Sequence, residues 1–261
     1  MKILFIGDIF GRPGRDAIAR YLPELRAQHK PDFVIANGDN AAHGTGLIPS
    51  LVKELYELGI DMLTGGDHIW DQKEMVAHLD RAPFVLRPLN FPPNTPGKGW
   101  IELATPSGTK LAIVHLQGRA LMEGRLVDNP FQAIDDLLKK ILHKNIIVDL
   151  HAEATSEKMA MAHYLDGRVT AVLGTHTHVP TADARILKGG TAAMTDVGMT
   201  GCYDSVIGAD PVAPVQKFVT SVRYQRLQPA EGEGVLCGVV VTLDEKSGRA
   251  EAIEPVRGGT I

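Results

Sequence analysis

The sequence predicts an α/β fold with mixed parallel and antiparallel sheet, on two observations. From Met1 to about Arg81, short apolar runs alternate with helical patterns, the signature of βαβ units and parallel strands. Beyond residue 100, apolar runs are joined instead by turns rich in Gly and Ser, the signature of hairpins. In order, KILFIGDI reads as a strand, DAIARYLPELRAQH as a helix, DFVIANGD as a strand, PSLVKELYELG as a helix, DMLTGGD as a strand and QKEMVAHLD as a helix. WIELATPSGTKLAIVHLQ then reads as a hairpin, followed by the helix PFQAIDDLLKKIL, the strand NIIVDLHA, the helix EATSEKMAMAHYL and the strand VTAVLGTHTH. Two more hairpins follow, one turning at Gly189 and Gly190 and one near Ser247 and Gly248, so the C-terminal third is expected to be mostly antiparallel.

Composition narrows the class. The 261 residues are 44% apolar, 22% charged and 5% aromatic, which excludes a disordered chain, and no apolar run reaches the ~18–20 residues of a membrane helix. No repeat, low-complexity segment or linker divides the chain, so a single domain over residues 1–261 is expected. The net charge of −4 argues against a general nucleic-acid surface, though not against a local phosphate site. Cys202 and Cys237 form no metal or redox motif, and the N-terminal apolar run meets Gly7 and Asp8 at once, as a buried strand does and a signal peptide does not. A cytoplasmic location is the expectation.

The candidate chemistry lies at strand ends. Asp8 closes the first strand, Asp39 and Asn40 the second, and Asp67 and His68 the third; His151, and then His176 and His178, close two later ones. Ligands of open α/β sheets bind outside the carboxyl ends of the strands. Carboxylates and imidazoles without thiolates suit a catalytic Mn, Fe or Zn ion rather than a structural zinc. Asp8, Asp39, Asn40, Asp67, His151, His176 and His178 are too many ligands for one tetrahedral ion, whereas two ions sharing a carboxylate would use them all. Paired ions suit attack on phosphorus, so phosphoester hydrolysis is expected. His176 and His178 share the site if the chain leaves its strand there, which Pro180 permits. His68 follows a candidate ligand directly and titrates near neutrality, which suits an acid beside the leaving oxygen, and Asp71 is spaced to orient it. His29, His43, His78, His115, His143 and His163 read as surface or packing residues.

The order D-x-F at Asp8 to Phe10, GDN at Gly38 to Asn40, GGDH at Gly65 to His68, His151 alone and GTHTH at Gly174 to His178 resembles the calcineurin-like metallophosphoesterase signature. More narrowly, HAEATSEK from His151, GTHTHVPTAD from Gly174 and TDVGMTGCYDSVIG from Thr195 are similar to the YmdB-type bacterial phosphodiesterases. The resemblance implies a four-layer α/β/β/α sandwich, two metal ions (Fe or Mn, with Zn also accepted) and a small-molecule phosphodiester substrate such as 2′,3′-cyclic or 3′,5′-cyclic AMP, attacked by a hydroxide bridging the metals. It also suggests self-association. It assigns one metal to Asp8, Asp39, Asn40 and His178 and the other to Asp39, Asp67, His151 and His176, with Asp39 as the bridge and His68 as the acid. This chain departs from the pattern at three positions. Phe10 stands where the wider superfamily has His; Asp67 replaces the usual Asn and Asp39 the Glu of the narrower group. An anionic Asp67 strengthens metal binding but repels phosphate, so the competing expectation is a catalytically weakened, metal-dependent nucleotide-binding regulator.

Overall fold

A computed structural model describes residues 1–122 and 126–261. The elements run β1 (Lys2–Ile6), β2 (Asp8–Ile9), α1 (Gly11–His29), β3 (Phe33–Asn37), α2 (Pro49–Glu57), β4 (Met62–Thr64), α3 (Lys73–His78) and β5 (Val85–Leu86). A second series follows: β6 (Trp100–Ala104), β7 (Lys110–Gln117), α4 (Pro130–Leu138), β8 (Ile146–His151), α5 (Thr155–Tyr164), β9 (Ala171–Thr175), β10 (Arg185–Ile186) and β11 (Ala192–Met194). The chain closes with β12 (Met199–Cys202), α6 (Val212–Thr220), β13 (Gly234–Leu243) and β14 (Ala250–Gly258).

Two mixed sheets result. One has the order β2-β12-β13-β1-β3-β4-β5, with β14 paired to β13, and the other has the order β10-β11-β9-β8-β7-β6. The period-two alternation of side chains turns these sheets into layers. Along β1, Leu4 and Ile6 face the helices, joining Ile18 and Leu22 of α1, Leu51 and Leu55 of α2 and Met75 of α3. Ile3 and Phe5 face the other way, packing with Ile35, Met62 and Val239 against Leu111, Ile113, Ile147 and Leu173 of the second sheet. The far face of that sheet, with Val114, Val148 and Leu150, is covered by Ile134 of α4 and Met161 of α5. The layers are therefore helix, sheet, sheet, helix. Where both faces are covered, as along β1, β7, β8 and β13, the strands read as nearly unbroken apolar runs, whereas the exposed β14 does not. Among the described residues no helix is long and apolar enough to cross a membrane.

All three expected hairpins form: β6 with β7, β10 with β11 and β13 with β14, each antiparallel. Three local readings need correction. The first strand is broken at Gly7, because Asp8 and Ile9 leave β1 to pair in parallel with β12. Helix α1 begins at Gly11, ahead of the predicted Asp16; Pro13 lies in its first turn, where a missing N–H costs nothing. In the C-terminal third, β11 joins β9 in parallel, and α6 lies in a stretch with no periodic signal.

The inter-sheet layer is what brings the two sets of strand ends together. Phe5→Ala, which empties a fully buried site in that layer, is expected to cost about 3–5 kcal/mol in denaturant unfolding. Phe84→Ala, at a side chain 42% exposed, is expected to cost under about 1 kcal/mol.

Candidate metal centre

The eight residues singled out at strand ends converge at one end of the inter-sheet layer. Asp8, Asp39 and Asn40 arrive from the first sheet, Asp67 and His68 from the loop after β4, His151 from the end of β8, and His176 and His178 from the turn after β9. Asp8, Asp39 and His151 are fully buried. Gly66 allows the close approach: a Cβ there would lie 2.4 Å from His151 Nε2 and 2.6 Å from Asp39 Oδ2.

Around His151, Nε2 lies 3.1 Å from Asp67 Oδ1, 3.4 Å from Asp39 Oδ2 and 3.1 Å from His176 Nδ1. The other ring nitrogen, Nδ1, is 3.0 Å from Thr175 Oγ1, whose hydroxyl donates to Asp149 Oδ1 at 2.8 Å. Since that hydroxyl proton is committed to a carboxylate, Thr175 accepts from His151 Nδ1–H, and the Nε2 lone pair points into the site. His178 repeats the logic: Nδ1–H donates to the Ile207 carbonyl at 2.8 Å, and Nε2 then faces Asn40 Oδ1 at 3.2 Å and Asp8 Oδ1 at 3.8 Å. Asn40 Nδ2 is taken by the Gly44 carbonyl at 3.0 Å, so its amide oxygen is the atom turned inward. Asp8 Oδ1 is buried and has no hydrogen-bond partner among the described residues.

Acceptor atoms thus face acceptor atoms, an arrangement that only protons or cations satisfy. Among the described residues two triads have donor atoms close enough to hold a metal ion, Asp67–His151–His176 and Asp39–Asp67–His68. The donor set of oxygen and imidazole nitrogen fits the metals inferred from the sequence. Asp39 makes its close contacts with the second triad's residues and with His151: both of its oxygens accept from the His68 backbone N–H, at 3.1 and 3.3 Å. His68 Nδ1 is 2.7 Å from Asp71 Oδ2, while Nε2 is 3.7 Å from Asp67 Oδ2. Phe10 fills the space beside His178, edge-on at 5.5 Å between ring centroids.

The histidine pair depends on a departure from strand geometry. Thr175 shares the inter-sheet side of β9 with Ala171 and Leu173, so a continued strand would turn His176 and His178 toward α5 instead. Positive φ values of 93° at His176 and 65° at His178 reverse that alternation, at about 1–3 kcal/mol each for non-glycine residues. The His176 backbone N–H then donates to Asp8 Oδ2 at 3.2 Å.

Several participants have no periodic or spacing signal of their own. Asp149 and Asn37 are fully buried behind the site, and the Asn37 amide donates to Asp149 Oδ2 at 3.1 Å while its oxygen accepts from Asp39 N–H at 2.9 Å. Glu153 Oε2 lies 3.2 Å from His176 Nε2. His115, read as a packing residue, is fully buried with Nδ1 at 3.2 Å from Asp149. Asp149 and Glu153 fall within or beside the strand-and-motif segment around His151, which was the available signal.

The electrostatics follow from burial and crowding. Burial pushes the Asp8 carboxyl up to about 6, against the pull of His178 and His151. Burial alone would lower His151, but hydrogen bonds to Asp39 and Asp67 and the charges of Asp39 and Asp8 raise it well above its ordinary value. His68 is likewise raised, its burial outweighed by Asp39, Asp67 and Asp71. His176 is lowered to about 3 by burial and the neighbouring His151 charge. Asp67 is held below the usual carboxylate range because His151, His68 and His176 outweigh its burial.

Groups with raised folded values stabilise the metal-free chain below their unfolded values and lose that contribution as pH rises through the folded ones. His176, with a lowered value, acts oppositely, but only below the ordinary 6.5. The melting temperature of chelator-treated protein is therefore expected to fall as pH rises above about 6.5, where the raised His151 and His68 lose their protons. The increment produced by Mn²⁺ is expected to widen over the same range, because ligands shed protons to bind metal; differential scanning calorimetry reads both.

A YmdB-like protein family profile matches residues 4–256. The chain is 46% identical to the 2′,3′-cyclic-nucleotide 2′-phosphodiesterase of Bacillus subtilis (strain 168), over 98% of this chain and 96% of that one. The crystal structure of a hypothetical protein from Thermus thermophilus superposes with a TM-score of 0.92 at 46% identity, covering 99% of each chain. A novel phosphatase from Mycoplasma pneumoniae superposes with a TM-score of 0.94 at 35% identity, covering 98% of this chain and 92% of that one. With a matching profile across nearly its whole length and relatives that share its sequence and its two-sheet fold, the chain belongs to the YmdB-like family.

Proposed function

We propose that this protein is a phosphodiesterase of cyclic nucleotides, acting on 2′,3′-cyclic nucleotides of the AMP type and secondarily on 3′,5′-cyclic ones. The observation that carries the reading is the set of inward lone pairs from His151, His178, Asp8, Asp39, Asn40 and Asp67, which suits cations; cations held there would in turn attract phosphoryl oxygens. The activity named for the Bacillus subtilis relative supports the substrate class. In this reading Asp8, Asp39, Asn40 and His178 would hold one ion and Asp39, Asp67, His151 and His176 the other. Fe or Mn suits the ligand set best, and Zn is accepted. Ions bound there supply positive charge to the phosphoryl oxygens and acidify water.

His68 is the general acid. Asp71 holds Nδ1, and the backbone N–H bound to Asp39 fixes the residue at the pocket, which leaves Nε2 to carry the mobile proton. In the metal-free chain burial is outweighed by Asp39, Asp67 and Asp71, which raise the His68 pKa, the direction a general acid needs. As the new P–O bond to water forms and the bond to the ribose oxygen breaks, Nε2 protonates the departing oxygen; the proton released from water restores the imidazolium, and the product is a nucleoside monophosphate. Asp67 adds negative charge beside the incoming phosphate, which His68, 3.7 Å away, partly offsets when protonated.

Chelator-treated protein is expected to lose hydrolysis of bis(p-nitrophenyl) phosphate and of 2′,3′-cyclic AMP, and Mn²⁺ or Fe²⁺ to restore both; turnover persisting without metal overturns the reading. His68→Asn is expected to lower kcat on 2′,3′-cyclic AMP by about 10²–10⁴-fold. The loss on bis(p-nitrophenyl) phosphate is expected to be much smaller, since nitrophenolate departs without a proton.

A further inference from the structure

Lys158 and Asp196 are an ion pair outside the metal centre, 97% and 99% buried, with Nζ 2.9 Å from Oδ2. Charges so placed contribute little net stability, since desolvation offsets their attraction, so the groups they hold matter more. Asp196 Oδ2 also accepts from the Thr177 backbone N–H at 3.1 Å and from Thr177 Oγ1–H at 2.6 Å, and Oδ1 accepts from Gly198 N–H at 2.8 Å. Lys158 Nζ donates to Thr177 Oγ1 at 3.1 Å. Thr177 is the residue between His176 and His178, and its side chain and backbone are both anchored on the side of the turn facing α5. The reversal of strand alternation that brings the two histidines into the site, with both at positive φ, is therefore pinned at its middle residue. Room for Lys158 to reach this turn is provided by Gly174, where a Cβ would lie 2.9 Å from Lys158 Cδ and 1.9 Å from the Thr195 carbonyl oxygen.

We propose that Lys158, Asp196 and Thr177 are positioning residues: the buried pair clamps Thr177 and so fixes the turn that presents His176 and His178 to the metal ions. This rests on the reading that those histidines hold metal. The clamp joins α5, which follows the strand carrying His151, to the turn carrying the other two histidines, so all three imidazoles are referred to one rigid frame.

Substituting Lys158 or Asp196 strands a buried charge and can prevent folding, so the decisive variants are Thr177→Val, which removes only the hydroxyl at nearly constant volume, and Thr177→Ser, which keeps it. Full-length parent and variant proteins are stripped with chelator and titrated with Mn²⁺ by calorimetry, and melting temperatures are read with and without the metal. Thr177→Val is expected to melt a little below the parent when stripped, since Asp196 loses one donor but keeps Lys158 and the Thr177 and Gly198 N–H groups, and to bind Mn²⁺ about 10–100-fold more weakly, with Thr177→Ser restoring most of the affinity. Unchanged Mn²⁺ affinity in Thr177→Val, or a lowered stripped melting temperature with affinity intact, overturns the inference while leaving the metal reading standing. A parent protein that takes up no Mn²⁺ overturns both.

Discussion

The structure turns on one electrostatic constraint: acceptor atoms from two different sheets face one another in a buried pocket, and each of the two buried imidazoles there has its donor nitrogen already engaged elsewhere. His151 gives its proton to Thr175 and His178 gives its own to Ile207, so both turn lone pairs toward carboxylate or amide oxygens. A pocket built this way is unfavourable unless protons or cations enter it. The raised pKa values of Asp8 and His151 are the proton version of that balance.

The rest of the fold can be understood as the framework that maintains this opposition. The layer of Phe5, Ile35, Met62, Ile113, Ile147 and Leu173 sets the spacing of the sheets. Behind the site, polar side chains carry the alignment further: Asn37 links Asp149 to the backbone of Asp39, and Thr175 links Asp149 to His151. Asp149 therefore touches both halves of the site through one intermediary on each side. A carboxylate so deeply buried is kept ionised by His115 and His151 despite its desolvation and serves as a fixed acceptor around which the donors arrange.

A similar economy applies to the turn after β9. Two non-glycine residues at positive φ on either side of Thr177 would relax in an unsupported loop. Here the backbone N–H of His176 is held by Asp8, and Thr177 is held by Asp196. The energetic cost of the turn is met by hydrogen bonds to charged groups that water cannot reach.

How much of this was legible in the order of residues differs between fold and site. The alternation of apolar runs with helical patterns, and Gly-containing turns such as Gly189–Gly190, announce mixed sheets and three hairpins, because backbone periodicity and turn preference are local properties. The polar interruptions at Asp8, Asp39, Asp67, His151 and His176 are visible for the same reason: a charged residue at the end of a buried strand stands out against its neighbours. Tertiary structure alone decided the break at Gly7, which sends Asp8 to a partner strand in the last third of the chain, and the reversed alternation at His176 and His178. It also decided the pairing of Lys158 with Asp196 and of Asp149 with Thr175, separated by 38 and 26 residues. Such contacts leave no periodic trace, because a buried polar group is selected by the partner that folding brings beside it, and that partner's position along the chain is arbitrary.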